Sequence, residues 1–199
     1  MSADISVVIP VFNQARFVGD AVSSALGQTL SPLEVIVVDD GSTDEAPTVL
    51  QQFTADSRVK LICQENRGVA AARNAGATVA LGRYLAFLDA DDIWLPAKLE
   101  RQRERFTLDP KLTLVHCGMA VIDGSKNVQR EQTDGKEGNI APELLFFEGP
   151  VILGGGSGLI VPAALFHELH GFDERMSTSA DWDLFYRLAS SGPVGFVPE

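Results

Sequence analysis

One stretch of the sequence decides the fold: Leu33-Glu34-Val35-Ile36-Val37-Val38-Asp39-Asp40-Gly41-Ser42. Its β-branched, apolar part is typical of a strand that is buried on both faces of a parallel sheet. Two aspartates and a glycine then end the strand. Ser42 and, three residues later, Glu45 match the capping box that begins a helix, which predicts a helix over residues 42–53.

The same succession of strand and helix occurs four times within residues 5–108. Apolar runs predict three further strands, at Ile5–Val11, Val59–Cys63 and 84–88, and a pattern of helical spacing follows each of them. Strands that alternate with helices are typical of an α/β fold. We therefore expect a Rossmann-like, mostly parallel sheet with helices on both faces.

The pattern beyond residue 108 is less regular. It predicts a strand, a polar hairpin or loop, a Gly-interrupted apolar stretch and two short helices, at 112–119, 123–139, 152–161, 162–169 and 181–190. No linker separates these elements from the first half, and 199 residues fit a single domain. The sequence stops just after a strand-like stretch, which suggests a longer native chain.

The composition narrows the class of ligand. The chain has 27 acidic and 16 basic side chains, a formal net charge of −11, and it is 45% apolar. The acid excess argues against binding to nucleic acid, which requires neutralisation of phosphates. It also opposes any anionic small ligand, unless a cation lies between that ligand and the protein.

The sequence carries no sign of export or of membrane insertion. It has neither a basic and then apolar N-terminal segment nor 18 consecutive apolar residues. Cys63 and Cys117 both lie in apolar, strand-like runs, and we expect buried, reduced thiols rather than a disulfide. These features predict a cytoplasmic protein.

Polar side chains cluster where three of the predicted strands end, at the edge where open parallel sheets bind their ligands. They are Asn13, Asp39, Asp40, Asp89, Asp91 and Asp92. One acidic residue at such an end is as consistent with a helix cap as with a ligand contact. Five carboxylates in one crevice repel one another, however, and this arrangement favours a bound cation.

Asp89 and Asp91 are the strongest candidates for metal ligands. Only the small Ala90 separates them, so their oxygens can converge where the chain leaves the strand. Hard oxygen ligands suit Mg²⁺ or Mn²⁺, which also bind substrate phosphates. The chain lacks G-x-G-x-x-G after its first strand and lacks G-x-x-x-x-G-K-[ST] altogether, which excludes the NAD-binding and P-loop modes of phosphate binding.

A further carboxylate lies on an apolar stripe near the C-terminus. The stripe has helical spacing and comprises Asp181, Leu184, Phe185 and Leu188. This spacing places Asp181 in the first turn of a helix, on its buried face. Charged side chains are rarely buried unless they have a partner or a function. Asp181 either caps the helix or pairs with an arginine, or it is a general base at the floor of a pocket.

Taken together, these motifs resemble the inverting glycosyltransferases of family two, which have the GT-A fold. The matching stretches are 7–13, 34–44, Ala71-Ala72-Arg73-Asn74-Ala75-Gly76, 84–92, Gly171-Phe172-Asp173-Glu174 and Asp181-Trp182-Asp183-Leu184. They cover nearly the whole chain in the family's order. The resemblance implies a single GT-A domain, with a nucleotide-sugar-binding half in residues 1–92 and an acceptor and catalytic-base half in residues 93–199.

The resemblance also implies a role for each matching residue. The expected donor-binding residues are Pro10, Phe12, Asn13, Asp39, Asp40, Arg73 and Asp89. Pro10 and Phe12 are expected to cradle the nucleotide base and Asp40 to hydrogen-bond it. Arg73 is expected near the donor, where a cation helps to hold phosphate.

The remaining implied roles concern the metal and the base. Asp89 and Asp91 match the family's Asp-x-Asp pair, with Asp91 on the metal and Asp89 near both the ribose and the metal. Asp181 matches the catalytic base. The implied reaction is a single displacement: an acceptor hydroxyl, deprotonated by Asp181, attacks the anomeric carbon opposite the leaving diphosphate, and a divalent cation, Mg²⁺ or Mn²⁺, neutralises the leaving group.

The resemblance implies a metal-dependent transferase of polysaccharide biosynthesis. Its expected partners are a nucleotide-diphospho-sugar, with UDP-sugars favoured, and a glycan or lipid-linked glycan, but no nucleic acid. Two positions depart from the family pattern. Ala180 stands where the family usually has Glu, and His170 stands where it usually has Gly. The base itself is retained.

Three alternatives remain open from the residues alone. The chain could be a non-catalytic nucleotide-sugar-binding module or a truncated transferase domain. A strand followed by Asp-x-Asp also occurs in haloacid-dehalogenase-like phosphatases. Finally, the predicted helix over residues 98–111, with five basic and three acidic side chains, is either a solvated face or a peripheral contact with anionic lipid at the inner face of the cell membrane.

Overall fold

A computed structural model describes residues 3–146, 149, 151–176 and 178–198. Within this part of the chain the central sheet has seven strands, and β8 alone runs antiparallel to its neighbours. In their order across the sheet they are β3 (Val59–Cys63), β2 (Glu34–Asp39), β1 (Ile5–Val11), β4 (Tyr84–Phe87), β8 (Ile160–Pro162), β5 (Leu114–Cys117) and β9 (Val194–Val197). The predicted mostly parallel sheet is confirmed.

Helices cover both faces of this sheet, as predicted. They are α1 (Val18–Leu26), α2 (Ala46–Gln51), α3 (Val69–Val79), α4 (Lys98–Leu108), α5 (Ala141–Phe146), α6 (Ala163–Glu168) and α7 (Ala180–Ser191). Successive residues of a strand point to opposite faces, so Val7 and Ile9 pack into one core and Val8 into the other. The first core includes α1, α2 and α4, and the second includes α3, α5, α6 and α7.

Helix α3 packs unusually close to the sheet because its inner face is made of alanine and glycine. A Cβ atom added at Gly76 would lie 2.4 Å from Cγ1 of Val8, so no larger residue fits there without movement. Ala72 and Ala77, on the same helix, are fully buried. This close packing holds the N-terminal half of α3, and with it Arg73, at the carboxyl edge of β1 and β4.

The antiparallel strand β8 brings a glycine-rich segment to the same edge. A short 3₁₀ helix (Gly155–Gly158) directly precedes β8 and lies beside the end of β4. The sequence pattern showed only a Gly-interrupted apolar stretch in this region. It did not predict that a reversed strand would place the glycines next to the acidic residues after β4.

Three expectations about local structure need correction. The predicted capping box is wrong: α2 begins at Ala46, the Ser42 hydroxyl instead accepts the backbone N–H of Asn13, and the Asp44 carboxylate accepts that of Ala46. The strand predicted at 112–119 is two strands, β5 and β6 (Met119–Ile122), and β6 pairs with β7 (Val128–Gln132) in the expected hairpin. Cys63 is exposed because β3 is an edge strand of the sheet, whereas Cys117 is buried.

None of the helices in the described residues has the length and apolar character needed to cross a membrane.

Candidate active site

A cleft of about 350 Å³ opens at the carboxyl edge of the sheet, between the ends of β1, β2 and β4. It is lined by Pro10, Val11, Phe12, Gln14, Asp40, Asn66, Gly68, Val69, Ala72, Asp89, Ala90 and Asp91. Five of the residues predicted from the sequence are therefore brought together here, although they come from three separate strand ends. Asn66 and Gln14, which the sequence patterns did not single out, also face the cleft.

Asp40 is buried in the cleft wall and is held by the chain itself. Its Oδ1 accepts hydrogen bonds from the Gln64 side chain (2.7 Å) and from the backbone N–H of Arg67 (3.0 Å). Its Oδ2 accepts the backbone N–H of Gly68 (2.8 Å), the residue just before α3. Asp40 thus joins the end of β2 to the start of α3, with three of its roughly four acceptor positions filled.

Asn13 and Asp39 link loops and do not line the cleft. The Asn13 side-chain oxygen accepts the backbone N–H groups of Thr43 (2.8 Å) and Asp44 (3.3 Å), which ties the end of β1 to the loop after β2. The Asp39 carboxylate accepts the N–H of Ser42 (2.9 Å) within that loop. Their contacts with a donor stay predictions.

Arg73 connects two of the predicted site carboxylates. Its Nη1 donates to Oδ1 of Asp181 (2.5 Å), and its Nη2 donates to Oδ1 of Asp89 (2.6 Å). The arginine side chain is 4% exposed, whereas both carboxylates are about one-third exposed. Burial alone would lower the pKa of Arg73, but the two negative charges outweigh it and raise that pKa above its usual value.

The residues around Arg73 fix the guanidinium in place. The ring of Phe172 lies 5.0 Å from its Cζ atom, in cation–π contact. Phe172 is held in turn by Asn74, whose side chain exchanges two hydrogen bonds with the Phe172 backbone (2.9 and 3.0 Å). On the other side, a Cβ added at Gly156 would lie 2.6 Å from Nη2, so the glycine leaves the room that the guanidinium occupies.

The segment after β4 carries three carboxylates with different surroundings. Asp91 is exposed, and its carboxylate accepts no hydrogen bond from any residue that the structure describes. Partial desolvation of its carboxyl group raises the pKa of Asp92, although the residue is exposed. A hydrogen bond from Ser157 opposes this shift, and the negative charges of Asp89 and Asp91 add to it. The Ser157 hydroxyl accepts the backbone N–H of Asp89 (2.9 Å), which anchors the segment to the glycine-rich turn before β8.

Asp183, the other acidic residue in the first turn of α7, is bound by an arginine of the same helix. Arg187 donates to its Oδ2 through Nε (2.9 Å) and Nη2 (2.5 Å). The same arginine also donates to the carbonyl oxygens of Leu169 (2.7 Å) and Gly171 (2.8 Å). Two arginines therefore serve the two aspartates of one helix turn, one at the cleft and one away from it.

Within the ranges that the structure describes, no group of three or more His, Cys, Asp or Glu side chains could hold a metal ion. Two of the carboxylates that line the cleft, those of Asp89 and Asp91, belong to the predicted Asp-x-Asp pair. That number fits Mg²⁺ or Mn²⁺ only if water and substrate oxygens complete the coordination, as these ions commonly allow.

Comparison with known proteins gives a consistent assignment. The sequence profile described as Glycosyl transferase family 2 matches residues 6–163. An uncharacterized glycosyltransferase of Rickettsia conorii is 34% identical over 197 residues, which are 96% of this chain and 32% of that protein. The match leaves no support for the haloacid-dehalogenase-like alternative.

Two solved structures share the fold. S. aureus TarS in complex with UDP superposes with a TM-score of 0.77 at 17% identity, over 100% of this chain and 58% of that one. The mannosyltransferase PcManGT of Pyrobaculum calidifontis, in complex with GDP-Man and Mn²⁺, gives a TM-score of 0.75 at 20% identity, over 98% and 55%. The chain thus spans about a third of the length of the rickettsial relative and little more than half of either structure. With the GT-A architecture in place and the family profile matching most of its length, the chain belongs to glycosyltransferase family 2.

Proposed function

We propose that this protein is a cation-dependent, inverting glycosyltransferase. It transfers a sugar from a nucleoside-diphosphate donor, with UDP-sugars favoured, to a hydroxyl group of a glycan or lipid-linked glycan. One observation supports this above all. The cleft at the carboxyl edge holds Asp40, Asp89 and Asp91, and Arg73 joins Asp89 to Asp181 beside it.

The donor is proposed to lie along the cleft with its base at the end of β1. Pro10 and Phe12, the latter 46% exposed, offer an apolar surface against which a base can pack. Asp40 keeps one acceptor position for a hydrogen bond from the base. The UDP complex of TarS and the GDP-Man complex of PcManGT, two proteins of the same fold, support a nucleotide in this cleft.

Asp181 is proposed as the general base. Its Oδ1 is bound by Arg73, and its Oδ2 accepts no hydrogen bond from the described residues. Oδ2 can therefore take the proton of an acceptor hydroxyl, whose oxygen attacks the anomeric carbon opposite the leaving diphosphate. The C–O bond to the diphosphate breaks as the new glycosidic bond forms, so the product has the inverted anomeric configuration.

Asp91, with Asp89, is the proposed holder of the divalent cation. The Asp91 carboxylate is exposed and accepts no hydrogen bond from the described residues, and together with Asp89 it supplies hard oxygen ligands, so the donor set fits a hard cation. When bound there, Mg²⁺ or Mn²⁺ supplies positive charge against the charge that develops on the leaving diphosphate. The Mn²⁺ in the PcManGT complex supports this choice of ion.

The protein is proposed to act in the cytoplasm, and membrane contact through residues 98–111 stays a hypothesis. The basic residues of α4 are largely engaged by the protein. Lys98 is buried against the ring of Trp94 (3.9 Å to the centroid), and burial lowers its pKa to about 8. Arg103 pairs with Asp4, and Arg105 pairs with Glu137. Burial and pairing within the chain therefore account for these three of the five basic side chains.

Substitution of the base tests the reaction. We expect Asp181→Asn to lower transfer by about 100- to 10,000-fold, the usual contribution of a general base. The dissociation constant of the nucleoside diphosphate should stay within about threefold, because Asp181 lies beside the donor cleft and not in its lining. Transfer is measured by mass spectrometry with a panel of nucleotide sugars and glycan acceptors, and the anomeric configuration of the product by NMR.

The matched control is Asp183→Asn, which changes the same residue type two positions away on the same helix. Asp183 is bound by Arg187 away from the cleft, so this variant should keep transfer even if it is less stable. Normal turnover by Asp181→Asn would overturn the role of the base. A wild-type chain that binds nucleotide sugar but neither transfers nor hydrolyses it would establish the non-catalytic binding module instead.

Chelation tests the cation. We expect EDTA to weaken binding of UDP to the wild-type chain by about tenfold or more, since a bridging cation offsets the repulsion between diphosphate and the acidic cleft. Asp91→Ala should bind UDP equally weakly with and without Mn²⁺. If calorimetry shows the same affinity for wild type in EDTA and in Mn²⁺, the metal assignment is wrong.

A further inference from the structure

We propose that Arg73 is a positioning residue, which sets the place of the general base relative to the donor side of the site. This inference rests on the proposed function. It differs from the role that the family resemblance implied for Arg73, which was contact with donor phosphate. In the structure the arginine is committed to two carboxylates of the chain.

The geometry makes one planar group span two distant parts of the sequence. Asp181 lies on α7, 108 residues from Arg73, whereas Asp89 follows β4, only 16 residues away. The two terminal nitrogens of a guanidinium are held rigidly in one plane. A carboxylate bound to each of them, at 2.5 and 2.6 Å, therefore keeps a fixed separation and orientation relative to the other.

The surroundings of Arg73 leave little access for a phosphate. Its side chain is 4% exposed, with Phe172 over the guanidinium and Gly156 against Nη2. Its remaining nitrogen, Nε, is buried and has no hydrogen-bond partner among the residues that the structure describes. A donor phosphate could reach the guanidinium only by displacing Asp89 or Asp181, each of which is the closer anion.

The arrangement leaves the working atom of Asp181 open. Arg73 donates a hydrogen bond to Oδ1. The other oxygen, Oδ2, faces Gly155, which has no side chain: a Cβ atom added there would lie 3.9 Å from Oδ2. The arginine thus orients the carboxylate by one oxygen and leaves the other for the acceptor. Misplacing a reacting group by about 1 Å costs roughly 100-fold in rate, so a rigid anchor of this kind has a measurable effect.

The first test is Arg73→Lys, which keeps the positive charge but reaches only one carboxylate. We expect kcat to fall by about 100-fold while the KM for the donor changes by less than about threefold. A phosphate contact predicts the opposite pattern, a large rise in donor KM. That result, or normal kcat in this variant, would overturn the proposal.

A second variant leaves the arginine in the chain. Gly156→Ala places a methyl group 2.6 Å from Nη2, and it does so without positive-φ strain, so the guanidinium must shift. We expect a smaller loss of kcat, about tenfold, again with donor KM nearly unchanged. The matched control is Arg187→Lys on α7, which loses a similar arginine fork away from the cleft and should keep wild-type kcat. An equal loss of kcat in Arg187→Lys would show that general loosening of α7 is responsible, and would overturn the proposal.

A readout without turnover separates this inference from the proposed function. If Arg73 holds Asp181, the fall in Tm caused by Arg73→Lys must be smaller in an Asp181→Asn background than in the wild type. Additive changes in Tm would overturn the positioning role even if transfer is never observed. Conversely, a wild-type chain without transferase activity but with coupled Tm changes would overturn the proposed function and retain the arginine bridge.

Discussion

The two acidic strand ends of this protein are similar in sequence and opposite in structure. After β2, Asp39 and Asp40 are buried, and their carboxylates accept hydrogen bonds from the chain itself. After β4, Asp91 is exposed and accepts none from the described residues, and Asp89 is bound by Arg73. An acidic strand end whose carboxylates mostly accept hydrogen bonds from the chain itself fixes a loop. One that keeps open carboxylates retains the capacity to bind a ligand.

The largest expected effect is a difference in the free energy of unfolding between two variants, Asp40→Ala after β2 and Asp91→Ala after β4. Asp40→Ala removes three hydrogen bonds to a charged, buried carboxylate and strands two backbone N–H groups at the start of α3. We expect it to lower the free energy of unfolding by about 3 kcal/mol. Asp91→Ala should change it by less than about 0.5 kcal/mol in EDTA, because the carboxylate accepts no hydrogen bond within the described ranges of the chain. Urea denaturation measures both.

The outcome decides whether the comparison of the two ends holds. Similar costs for both substitutions would show that the acidic segment after β4 is as structural as the one after β2. A stability gain for Asp40→Ala would show that its hydrogen bonds do not compensate for burial of the charge.

The sequence predicted the first half of this fold well because its strands are continuous apolar runs. The apolar run before Asp39 and the helical spacing after Val59–Cys63 were recognisable from periodicity alone, and the structure confirms both, as β2 and α3. The helix start at Ser42 failed for a physical reason. The same hydroxyl that could cap α2 is used by the loop after β1, a contact 29 residues away that local pattern does not contain.

The site was predictable in its carboxylates but not in what positions them. Strand ends and the apolar stripe singled out Asp89 and Asp181, which the structure brings to one arginine. Ser157 and Gly156 were missed because their importance depends on β8 running antiparallel. The one available signal was the density of glycines at 154–158, which indicates close backbone approach. His170, at a position where the family usually has glycine, adopts the left-handed conformation (φ 62°) that a glycine would take without strain.

The next prediction concerns the support of the β4 end, which depends on a buried histidine. The imidazole of His116 is fully buried: Nε2 donates to the Lys136 carbonyl (2.8 Å), and Nδ1 accepts the N–H of Leu153 (3.1 Å), next to the glycine-rich segment. Burial lowers the pKa of His116 to about 4, against the opposing effects of the hydrogen bond to the Lys136 carbonyl and of the negative charge of Glu137. The folded protein therefore holds the neutral ring.

The sign of the pH dependence follows from this lowered pKa. Between pH 6.5 and pH 4 the unfolded chain takes up a proton that the folded chain does not, so stability falls as the pH falls. The expected loss is about 3 kcal/mol by pH 4. Urea denaturation of wild type and His116→Gln should show this loss as a difference between the two proteins. His167→Gln, on the exposed face of α6, should follow the wild type, and a pH-independent difference for His116→Gln would contradict the prediction.

The smallest expected effect concerns Asp92, in the acidic segment after β4. Removing its charge is expected to stabilise the fold, whereas Asp40→Ala after β2 is expected to destabilise it. Because the pKa of Asp92 is raised in the folded protein, its ionised form destabilises the fold. Asp92→Asn should therefore stabilise the chain by a few tenths of a kcal/mol at pH 7 in EDTA, the modest size that solvent screening allows. The gain should shrink as the pH falls through the raised pKa of Asp92, and it should be gone once the pH is below the ordinary aspartate value of about 4, where the unfolded chain is protonated as well. Asp134→Asn, an exposed site with the same change in net charge, is the control and should leave stability unchanged. If Asp134→Asn stabilises the chain equally, the effect comes from the overall charge of −11 and not from the site. If Asp92→Asn lowers the stability instead, the Asp92 carboxylate is structural, like the carboxylates after β2.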